Sequence, residues 1–465
     1  MRKVIHWFRR DLRLNDNTAL YNASKEAEQI IPVYILSTWK RTHPWTGPNR
    51  QAFLCDCLRS LADDLRRAGG QLIIKAGEPV TQLMQLIQET RAEAIYFNRS
   101  YDPYGKEIEA KLASSAVDSG AKTIGFKDNM VFEPDEILTD EGKPFRVFSP
   151  YARAWNRNVR PPVLPATIKF NTPSGLESLP LPTLDFWELQ KEAQIVPGSE
   201  SAAKARLRNF LNAAAKRYHS KRNFPDGQST SRLSQDLRLG TISARQIIAA
   251  CETELALGHE ADSKSVRAFI NEIIWRDFYM QILAHYPSVL ERDFNEDFAE
   301  LLWDHNPAAF EAWRQGQTGF PIVDAGMREL QATGFMHNRV RMIVAMFLTK
   351  DLHIHWKEGE KYFMQKLVDG DIASNNGGWQ WSAGTGADAA PYFRIQNPWT
   401  QTRNYDPEGV YIKTWLPELR DVDPEKFIAP QADPLTKNYP SPMLDHAKER
   451  EVTLARFTAA RRSKT

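Results

Sequence analysis

The segment NEIIWRDFY (271–279) combines an acid, a base and two aromatic rings at helical spacing. Its positions i, i+3, i+4 and i+7 are, in order, Glu272, Trp275, Arg276 and Tyr279. A helix places residues at this spacing on one face, one above the other. Such a face can stack on a flat ligand, hydrogen-bond to its edge and attract an anion.

The stretch DGDIASNNGGWQWSAGTGADAAPYFR (369–394) has the most informative composition in the chain. Its many Gly, Ala and Ser residues allow a close approach of backbone to a ligand. Its first 13 residues hold two Asp, two Asn and two Trp. Buried carboxylates and amides need hydrogen-bonding partners, which a planar heteroaromatic ligand with polar edges would supply. The segment GFMHNRVRM (334–342) adds an amide and two cations beside apolar residues.

Basic residues are concentrated between positions 204 and 222, where no acid occurs. A basic helix is usually a solvated face, and an anion or phosphate partner is the alternative. The segment TSRLS (230–234) combines three hydroxyls with an arginine at the start of a helical stretch. It is consistent with a phosphate site at a helix N-terminus and also with a simple helix cap.

Length and composition exclude several classes of protein. The 465 residues predict two or three domains. No apolar run approaches the ~18–20 residues of a membrane span, and the N-terminus does not resemble a secretory signal. Three cysteines allow neither a disulfide framework nor four thiolates for an iron–sulfur cluster. We therefore expect a cytoplasmic protein without membrane contact. A net charge of only +2 does not by itself indicate a nucleic-acid partner, so any surface that binds nucleic acid must be a local patch.

Five short β-branched or aromatic runs alternate with helical stretches in the first 130 residues. The predicted strands are VIHWF (4–8), IIPVYIL (30–36), LIIKA (72–76), AIYFN (94–98) and KTIGF (122–126). This alternation predicts a doubly wound parallel sheet, and such sheets bind ligands at the carboxyl ends of their strands. No G-x-G-x-x-G follows the first strand, so an ordinary dinucleotide site is not supported there.

The rest of the chain has a different pattern. A proline-rich stretch from about 156 to 200 predicts an ordered linker, and the pattern is helical from about 201 onward. We therefore divide the chain into an α/β domain (1–130), a linker (131–200) and an all-α domain (201–465). The charged C-terminal segment from 447 to 465 predicts a helix that frays into solvent.

Five motifs together are similar to the DNA photolyase/cryptochrome family. They are WFRRDLRLNDN, TSRLS, NEIIWRDFY, TGFPIVDAGMRELQATGFMHNRVRM and DGDIASNNGGWQWSAGTGADAAPYFRIQNP. The resemblance covers residues 1 to about 450 and is closest to bacterial class I cyclobutane pyrimidine dimer (CPD) photolyases. It implies a Rossmann-like N-terminal α/β domain, an all-α FAD-binding domain, a monomeric protein and UV-damaged DNA as partner.

The resemblance implies FAD bound in the helical domain. The positions that match phosphate contacts are Tyr218, Thr230, Ser231, Arg232, Leu233 and Ser234. Those that match contacts to the ribityl chain and isoalloxazine edge are Asn338, Arg341, Asp369, Asp371 and Asn375. An ion pair between Arg341 and Asp369 is expected over the flavin. Asn375 matches the residue facing flavin N5, where an amide can accept from N5–H of FADH⁻. Plant cryptochromes carry Asp and insect cryptochromes Cys at this place, so Asn375 favours repair over signalling.

The resemblance also implies a pocket for a flipped-out pyrimidine dimer. Trp275 matches the residue that stacks on the dimer, with Trp381 on the far wall. Glu272 matches the residue that contacts the carbonyl and amide edge, and Asn338 and Met342 complete the pocket. The related (6-4) photolyases place a histidine at the position of Asn338, which disfavours that substrate. The positions that match contacts to the DNA backbone are Arg222, Arg276, Arg339 and Arg394, and such contacts do not specify sequence.

Three tryptophans match the family's electron-transfer chain from the surface to the flavin: Trp303, Trp356 and Trp379. Core packing is the alternative for each one alone. The implied mechanism is electron donation from excited FADH⁻ to the dimer, opening of the cyclobutane ring and return of the electron. It needs no protein nucleophile and no metal, because the cofactor supplies the chemistry.

A second, light-harvesting chromophore is expected in the N-terminal domain. NRSYDPYGKE (98–107) and GPNRQAFL (47–54) are more similar to the deazaflavin-binding subgroup, but Ser100 stands where that subgroup tends to have Asp. A deazaflavin, a folate, a flavin and an empty pocket therefore stay open. The alternative functions are a cryptochrome-type blue-light photoreceptor and a flavoprotein that binds nucleic acid without repairing it.

Overall fold

The structure is a computed structural model that describes residues 1–167, 169–226, 229–258, 260–431 and 434–462. The chain forms two compact units. The first, here called the sheet unit, comprises Met1–Lys191, Ile195–Lys216 and Ser231–Pro287. The second, called the helical unit, comprises Glu192–Gln194, Arg217–Thr230 and Ser288–Thr465. The three-part domain division at residues 130 and 200 stays a prediction.

A five-stranded parallel sheet organises the sheet unit. Its strands are β1 (Lys3–Phe8), β2 (Gln29–Leu36), β3 (Ile73–Ala76), β4 (Ala94–Asn98) and β5 (Lys122–Phe126), in the spatial order β3-β2-β1-β4-β5. Each coincides with a strand predicted from the sequence, so the doubly wound α/β fold is confirmed. The strand order reverses between β1 and β4, and such a switch point opens a crevice at the carboxyl ends of the strands.

Helices make up most of the remaining chain. In chain order they are α1 (Thr18–Glu26), α2 (Pro48–Arg67), α3 (Pro79–Thr90), α4 (Pro103–Ser119), α5 (Phe148–Arg157), α6 (Glu200–Ala213), α7 (Tyr218–Lys221), α8 (Ser234–Leu239), α9 (Ala244–Leu257), α10 (Glu260–His285), α11 (Pro307–Gln315), α12 (Pro321–Thr333), α13 (Asn338–Met346), α14 (Trp356–Lys366), α15 (Ile372–Ala383), α16 (Pro398–Tyr405), α17 (Val410–Trp415) and α18 (His446–Arg462). Short 3-10 turns occur at Leu184–Trp187, Ala215–Arg217, Pro287–Leu290, Glu296–Phe298, Pro417–Leu419 and Pro424–Phe427, and Phe347–Asp351 is a single π-helical turn.

The boundaries of several helices follow from local sequence signals. Asn17 caps α1 by accepting a hydrogen bond from the backbone N–H of Leu20. Asp102 caps α4 in the same way, and this helix ends at Gly120, whose φ of 71° favours glycine. None of the described helices combines the length and apolar composition that a membrane crossing requires.

The C-terminal helix corrects one prediction. Residues His446–Arg462 form α18 as expected, but the described part of the helix does not fray, because Thr453, Phe457 and Ala460 are buried. The ring of Phe457 lies 5.1 Å from that of Phe298 in an edge-on arrangement. Residues 463–465 lie outside the described residues.

A buried ionic network ties the loop after β1 to α9 within the sheet unit. Asp128 accepts hydrogen bonds from Arg13 and from Arg245, each at 2.6 Å, and Arg245 also contacts Asp16 at 3.1 Å. All four side chains are at most 4% exposed. Burial alone would raise the pKa of Asp128, but Arg13 and Arg245 lower it to about 2. The network is therefore charged and internally compensated.

Candidate functional site

Helix α10 presents the face predicted from residues 272 to 279. Glu272, Trp275, Arg276 and Tyr279 are half-buried, whereas the intervening Ile273, Ile274, Asp277 and Phe278 are buried. Burial thus follows the 3.6-residue period of the helix. The acid, the base and the two aromatic rings share one accessible face.

Trp275 has an aromatic partner that the sequence did not indicate. Its ring stacks on Phe148 with 3.7 Å between centroids and 6° between planes. Tyr279, one turn further along α10, lies 5.5 Å away with its ring tilted by 33°. Phe148 is the first residue of α5, and no local pattern connects it to a position 127 residues later. The stack fixes the plane of the indole before any ligand arrives.

Arg276 is held by the protein itself. Its Nη1 donates to the carbonyl of Asn129 at 2.6 Å and lies 3.5 Å from a carboxylate oxygen of Asp277. Burial raises the pKa of Asp277 to about 6, although Arg276 and the Trp155 indole oppose the rise. A contact between Arg276 and DNA stays a prediction.

The helical unit contains two neighbouring helices with accessible polar faces. Helices α13 and α15 pack against each other. On α13 the accessible residues include Asn338, Arg341 and Met342, at i, i+3 and i+4. On α15 they include Asp371, Ser374, Gly378 and Trp381, at i, i+3, i+7 and i+10. The Cβ of an alanine at Gly378 would meet no described atom within 4 Å, so this turn of α15 permits close approach of a ligand.

Arg341 and Asp369 form the expected ion pair. Nη2 of Arg341 donates to both carboxylate oxygens of Asp369, at 3.1 and 2.8 Å, and Nε donates to the carbonyl of Met336 at 2.8 Å. The Asp369 side chain is 3% exposed and that of Arg341 is 25% exposed. The buried charge of Asp369 is therefore neutralised by Arg341, and part of the Arg341 side chain stays accessible. The role of both residues toward a flavin stays a prediction.

The amide of Asn375 has a fixed orientation. Its nitrogen donates to the backbone carbonyl of Glu360 at 3.0 Å. A carbonyl can only accept a hydrogen bond, so this contact assigns Nδ2 to Glu360 and turns Oδ1 to the other side. The next residue, Asn376, donates to the Glu360 carboxylate at 3.0 Å, and burial raises the pKa of Glu360 to about 7. Asn375 thus presents an acceptor rather than a donor.

Asp371 is the N-cap of α15, where its carboxylate accepts from the backbone N–H groups of Ala373 and Ser374, each at 3.1 Å. Tyr218, the first residue of α7, is buried. The hydroxyl of Thr230 is buried without a hydrogen-bond partner among the described residues. An orphaned hydroxyl and an accessible guanidinium fit the polar edges of a dinucleotide cofactor. The residues of the helical unit therefore fit FAD.

The segment from Ser231 to Ser234 belongs to the sheet unit. Helix α8 begins at Ser234, and its N-cap is Leu233, which makes no side-chain capping bond. Arg232 adopts a left-handed backbone with a φ of 52°. The hydroxyls of this segment therefore do not serve as a conventional helix cap, which was the alternative to phosphate binding.

The three tryptophans of the predicted electron-transfer chain all lie in the helical unit. Trp379 and Trp356 are buried, and Trp303 is half-buried. The Trp356 indole donates to Asp293 at 2.7 Å. The Trp379 ring lies over Gly359, where an added Cβ would come within 2.1 Å of it. One accessible and two buried tryptophans agree with a path from the surface inward, and their function stays a prediction.

Three predicted DNA-binding arginines lie in the helical unit. Arg394 is exposed, and Arg222 lies 5.9 Å from the ring of Tyr218. Arg339 donates to Asn223 at 2.8 Å and lies 4.6 Å from the ring of Tyr405. Burial lowers the pKa of Arg339, and the positive charge of Arg222 lowers it further.

The carboxyl ends of β1 and β4 carry a polar network. Asn98 donates to the carboxylate of Asp11 at 2.6 Å and to Asn17 at 2.9 Å. Burial raises the pKa of Asp11 to about 6, and Asp128 adds to the rise. Ser100 is buried beside Gly105. The identity of any chromophore at this edge stays open.

Comparison with known proteins agrees with this arrangement. The DNA photolyase family model matches residues 4–169, and the model of the FAD binding domain of DNA photolyase matches residues 269–459. A deoxyribodipyrimidine photo-lyase from Synechococcus is 39% identical, with 95% of this chain and 94% of that protein covered. The Escherichia coli protein of the same name is 38% identical over 98% of this chain and 99% of its own length. The chain belongs to the DNA photolyase family.

Solved structures extend the agreement to the fold. A class III photolyase from Agrobacterium tumefaciens superposes with a TM-score of 0.92 at 37% identity, covering 100% of this chain and 98% of that one. A Synechocystis cryptochrome gives 0.89 at 30% identity over 98% and 99% of the two chains. A Sulfolobus tokodaii photolyase described with two FAD molecules gives 0.86 at 30% identity over 98% and 100%. The predicted family, fold and enzyme class of this photolyase are confirmed, and class I membership stays a prediction.

Proposed function

We propose that this photolyase splits cyclobutane pyrimidine dimers in UV-damaged DNA under light, with FAD held in the helical unit. Bound FAD, in its reduced and excited form, supplies the electron that opens the cyclobutane ring. The chain's own residues bind, orient and shield the reacting groups, so no protein nucleophile is required. Photo-lyases from Synechococcus and Escherichia coli carry the same activity in their names.

The orientation of Asn375 carries this proposal. Since its nitrogen is bound to the Glu360 carbonyl, its oxygen is the part of the buried amide that is left to accept a hydrogen bond. With FAD bound as the family resemblance implies, an acceptor at this position would favour a protonated N5 and hence the reduced cofactor that repair requires. An acid or a thiol at this position, as in plant or insect cryptochromes, would change the relative stability of the oxidised and reduced flavin. The geometry therefore favours repair.

The ion pair and the polar faces hold the cofactor. Asp369 neutralises Arg341, so the guanidinium can face a flavin edge without the cost of an unpaired buried charge. The unbonded hydroxyl of Thr230 is available to a phosphate oxygen. Gly378 lets the ligand approach the backbone of α15.

The substrate end depends on α10. Phe148 holds the Trp275 ring in one plane, so one face of the indole is covered by protein. The other face would stack on a flipped-out pyrimidine, a contact of ~1–3 kcal/mol per base. Glu272, one turn earlier, would hydrogen-bond to the carbonyl and amide edge. Asn338, Met342 and Trp381 are proposed as the remaining contacts.

The DNA backbone is proposed to contact the four arginines Arg222, Arg276, Arg339 and Arg394. These contacts position a duplex without reading its sequence. Binding should therefore weaken with salt, with a log–log slope of about −3 to −4 for four neutralised phosphates.

Three further features are proposed. The enzyme is a monomer, as the family resemblance implies. It acts in the cytoplasm, because Cys55, Cys57 and Cys251 are buried free thiols. The sheet unit binds a second chromophore, as the two FAD molecules of the Sulfolobus photolyase indicate for that relative.

A cryptochrome-type photoreceptor is the second candidate, favoured by the structural similarity to the Synechocystis cryptochrome. A photoreceptor would bind FAD and respond to light without restoring dimers. Repair of a damaged oligonucleotide separates the two functions.

Glu272→Ala and Trp275→Ala test the assignment of the substrate pocket. Both variants should retain FAD, because neither residue is assigned to the cofactor. Glu272→Ala removes the hydrogen-bonding group and leaves its partner unsatisfied, so affinity for dimer-containing DNA should fall by about 1–3 kcal/mol together with repair per bound complex. Trp275→Ala should act mainly on affinity, by about 1–3 kcal/mol. Equal losses on damaged and undamaged oligonucleotides would place both residues on the backbone-binding surface and refute the assignment.

A further inference from the structure

His355 lies between two tryptophans of the predicted electron-transfer chain. Its ring centroid is 5.1 Å from that of Trp303 and 5.5 Å from that of Trp356, with tilts of 45° and 40°. Among the ring contacts of the described residues, none joins Trp303 directly to Trp356. The imidazole is thus the aromatic group that contacts both indoles.

The imidazole is fixed in orientation by the helix that it begins. His355 is the N-cap of α14, and its Nδ1 accepts from the backbone N–H of Lys357 at 3.1 Å. An accepting Nδ1 carries no proton, so the neutral ring has its proton on Nε2. The positive end of the helix dipole and the nearby Lys357 ammonium both oppose a second proton. Burial, followed by the charge of Lys357, lowers the pKa of His355 to about 4.

We propose that His355 is a positioning residue for electron transfer, a neutral aromatic spacer that holds Trp303 and Trp356 at a fixed separation and couples them. The inference rests on the proposed function, because it takes both tryptophans as members of the chain. In the step concerned, one electron passes from Trp303 to the oxidised Trp356. The radical cation then resides on Trp303, and no covalent bond or proton changes. A neutral ring adds no positive charge to oppose this transfer.

The charged groups near the rings of Trp303, His355 and Trp356 have partners within the protein. Asp293 accepts from the Trp356 indole. Asp304, next to Trp303 in the chain, is paired with Arg456 at 2.9 and 3.0 Å. The Lys357 ammonium lies 5.8 Å from the Trp356 ring and donates to the carbonyl of Glu291. A neutral spacer therefore suits a site in which the Lys357 ammonium already lies near one indole.

Two variants separate the ring of His355 from its capping role. His355→Asn keeps a good N-cap but removes the ring, whereas His355→Phe keeps a ring but removes the cap. In protein loaded with oxidised FAD, light-driven flavin reduction should slow several-fold in His355→Asn and stay near the native rate in His355→Phe. Transient absorption should show a correspondingly delayed signal from oxidised Trp303. A native rate in His355→Asn, or equal slowing in both variants, would overturn the inference.

A measurement without cofactor complements the kinetics. Nitrogen NMR of the apoprotein at pH 7 should show His355 neutral, with its proton on Nε2. A charged ring or a protonated Nδ1 would overturn the inference. Trp303→Phe provides the control for the chain itself. If that variant reduces flavin normally, the assignment of the electron-transfer chain fails independently of His355.

Discussion

Two arrangements of arginine and aspartate, one in each unit, differ in how completely the protein satisfies them. In the sheet unit, Asp128 accepts from Arg13, Arg245 and the Thr18 hydroxyl, and its side chain is 1% exposed. In the helical unit, the Asp369 carboxylate accepts from the Arg341 guanidinium. A quarter of the Arg341 side chain is exposed. The first arrangement is closed and the second is open.

The difference separates charges that hold the fold from charges that can meet a ligand. In the closed network, the carboxylates and guanidiniums bind each other, so removal of one charge leaves another buried without compensation. In the open pair, Arg341 keeps an accessible edge and can be hydrated when the cofactor is absent. We therefore expect substitutions in the first to act on stability and substitutions in the second on FAD binding.

The largest expected effect is the loss of stability in Asp128→Asn. Two buried cations would lose their shared counter-charge, and the sheet unit should lose about 3–5 kcal/mol in its free energy of unfolding. Urea unfolding followed by circular dichroism measures the change. Asp56→Asn is the matched control, because Asp56 pairs with Arg59 on the surface and should contribute only about 0–1 kcal/mol. Equal shifts in the two variants would show that the closed network contributes no more to stability than a surface ion pair.

Asp369→Asn should affect FAD binding more than the stability of the protein. Its apoprotein should lose about 1.5–3 kcal/mol, the range for a hydrogen bond to a charged group, because Arg341 can turn to solvent. FAD content of the purified, folded protein should fall sharply, as read from the flavin absorbance. If Asp369→Asn retains a full complement of FAD, the open pair does not belong to the cofactor site.

The smallest effect is expected from Gly378→Ala, which tests the accessible face of α15. An added methyl meets no described atom, so the helix should gain about 0.5–1 kcal/mol while FAD affinity falls. Gly359→Ala is the contrast, because its methyl would collide with the Trp379 ring and should destabilise the apoprotein. Thermal unfolding and flavin titration of both variants give the comparison. Unaltered FAD affinity in Gly378→Ala would contradict close approach at this turn.

Features whose residues recur with a local period could be predicted from the sequence alone. The five strands were predicted because β-branched runs alternate with helical segments, and the α10 face because its residues recur at i, i+3, i+4 and i+7. The Arg341–Asp369 pair required the family resemblance, since 28 residues separate its members in the chain.

Contacts between distant segments had no such signal. Nothing near Trp275 indicates Phe148, and nothing near Asn375 indicates that the Glu360 carbonyl fixes its amide. The prediction of a fraying C-terminal helix was wrong for the described part of α18, because the partner of Phe457 is Phe298, far away in the chain. Such contacts depend on tertiary packing, which overrides local propensity.

Light-driven repair of a single defined lesion tests the central claim most directly. An oligonucleotide with one cyclobutane thymine dimer is mixed with the FAD-loaded, chemically reduced protein and illuminated, with a dark sample and an apoprotein sample as controls. Intact thymines should return only in the illuminated, loaded sample, with an action spectrum that follows the absorbance of the bound chromophores. Full loading with FAD and binding of the damaged oligonucleotide without any recovery of thymine would contradict the account.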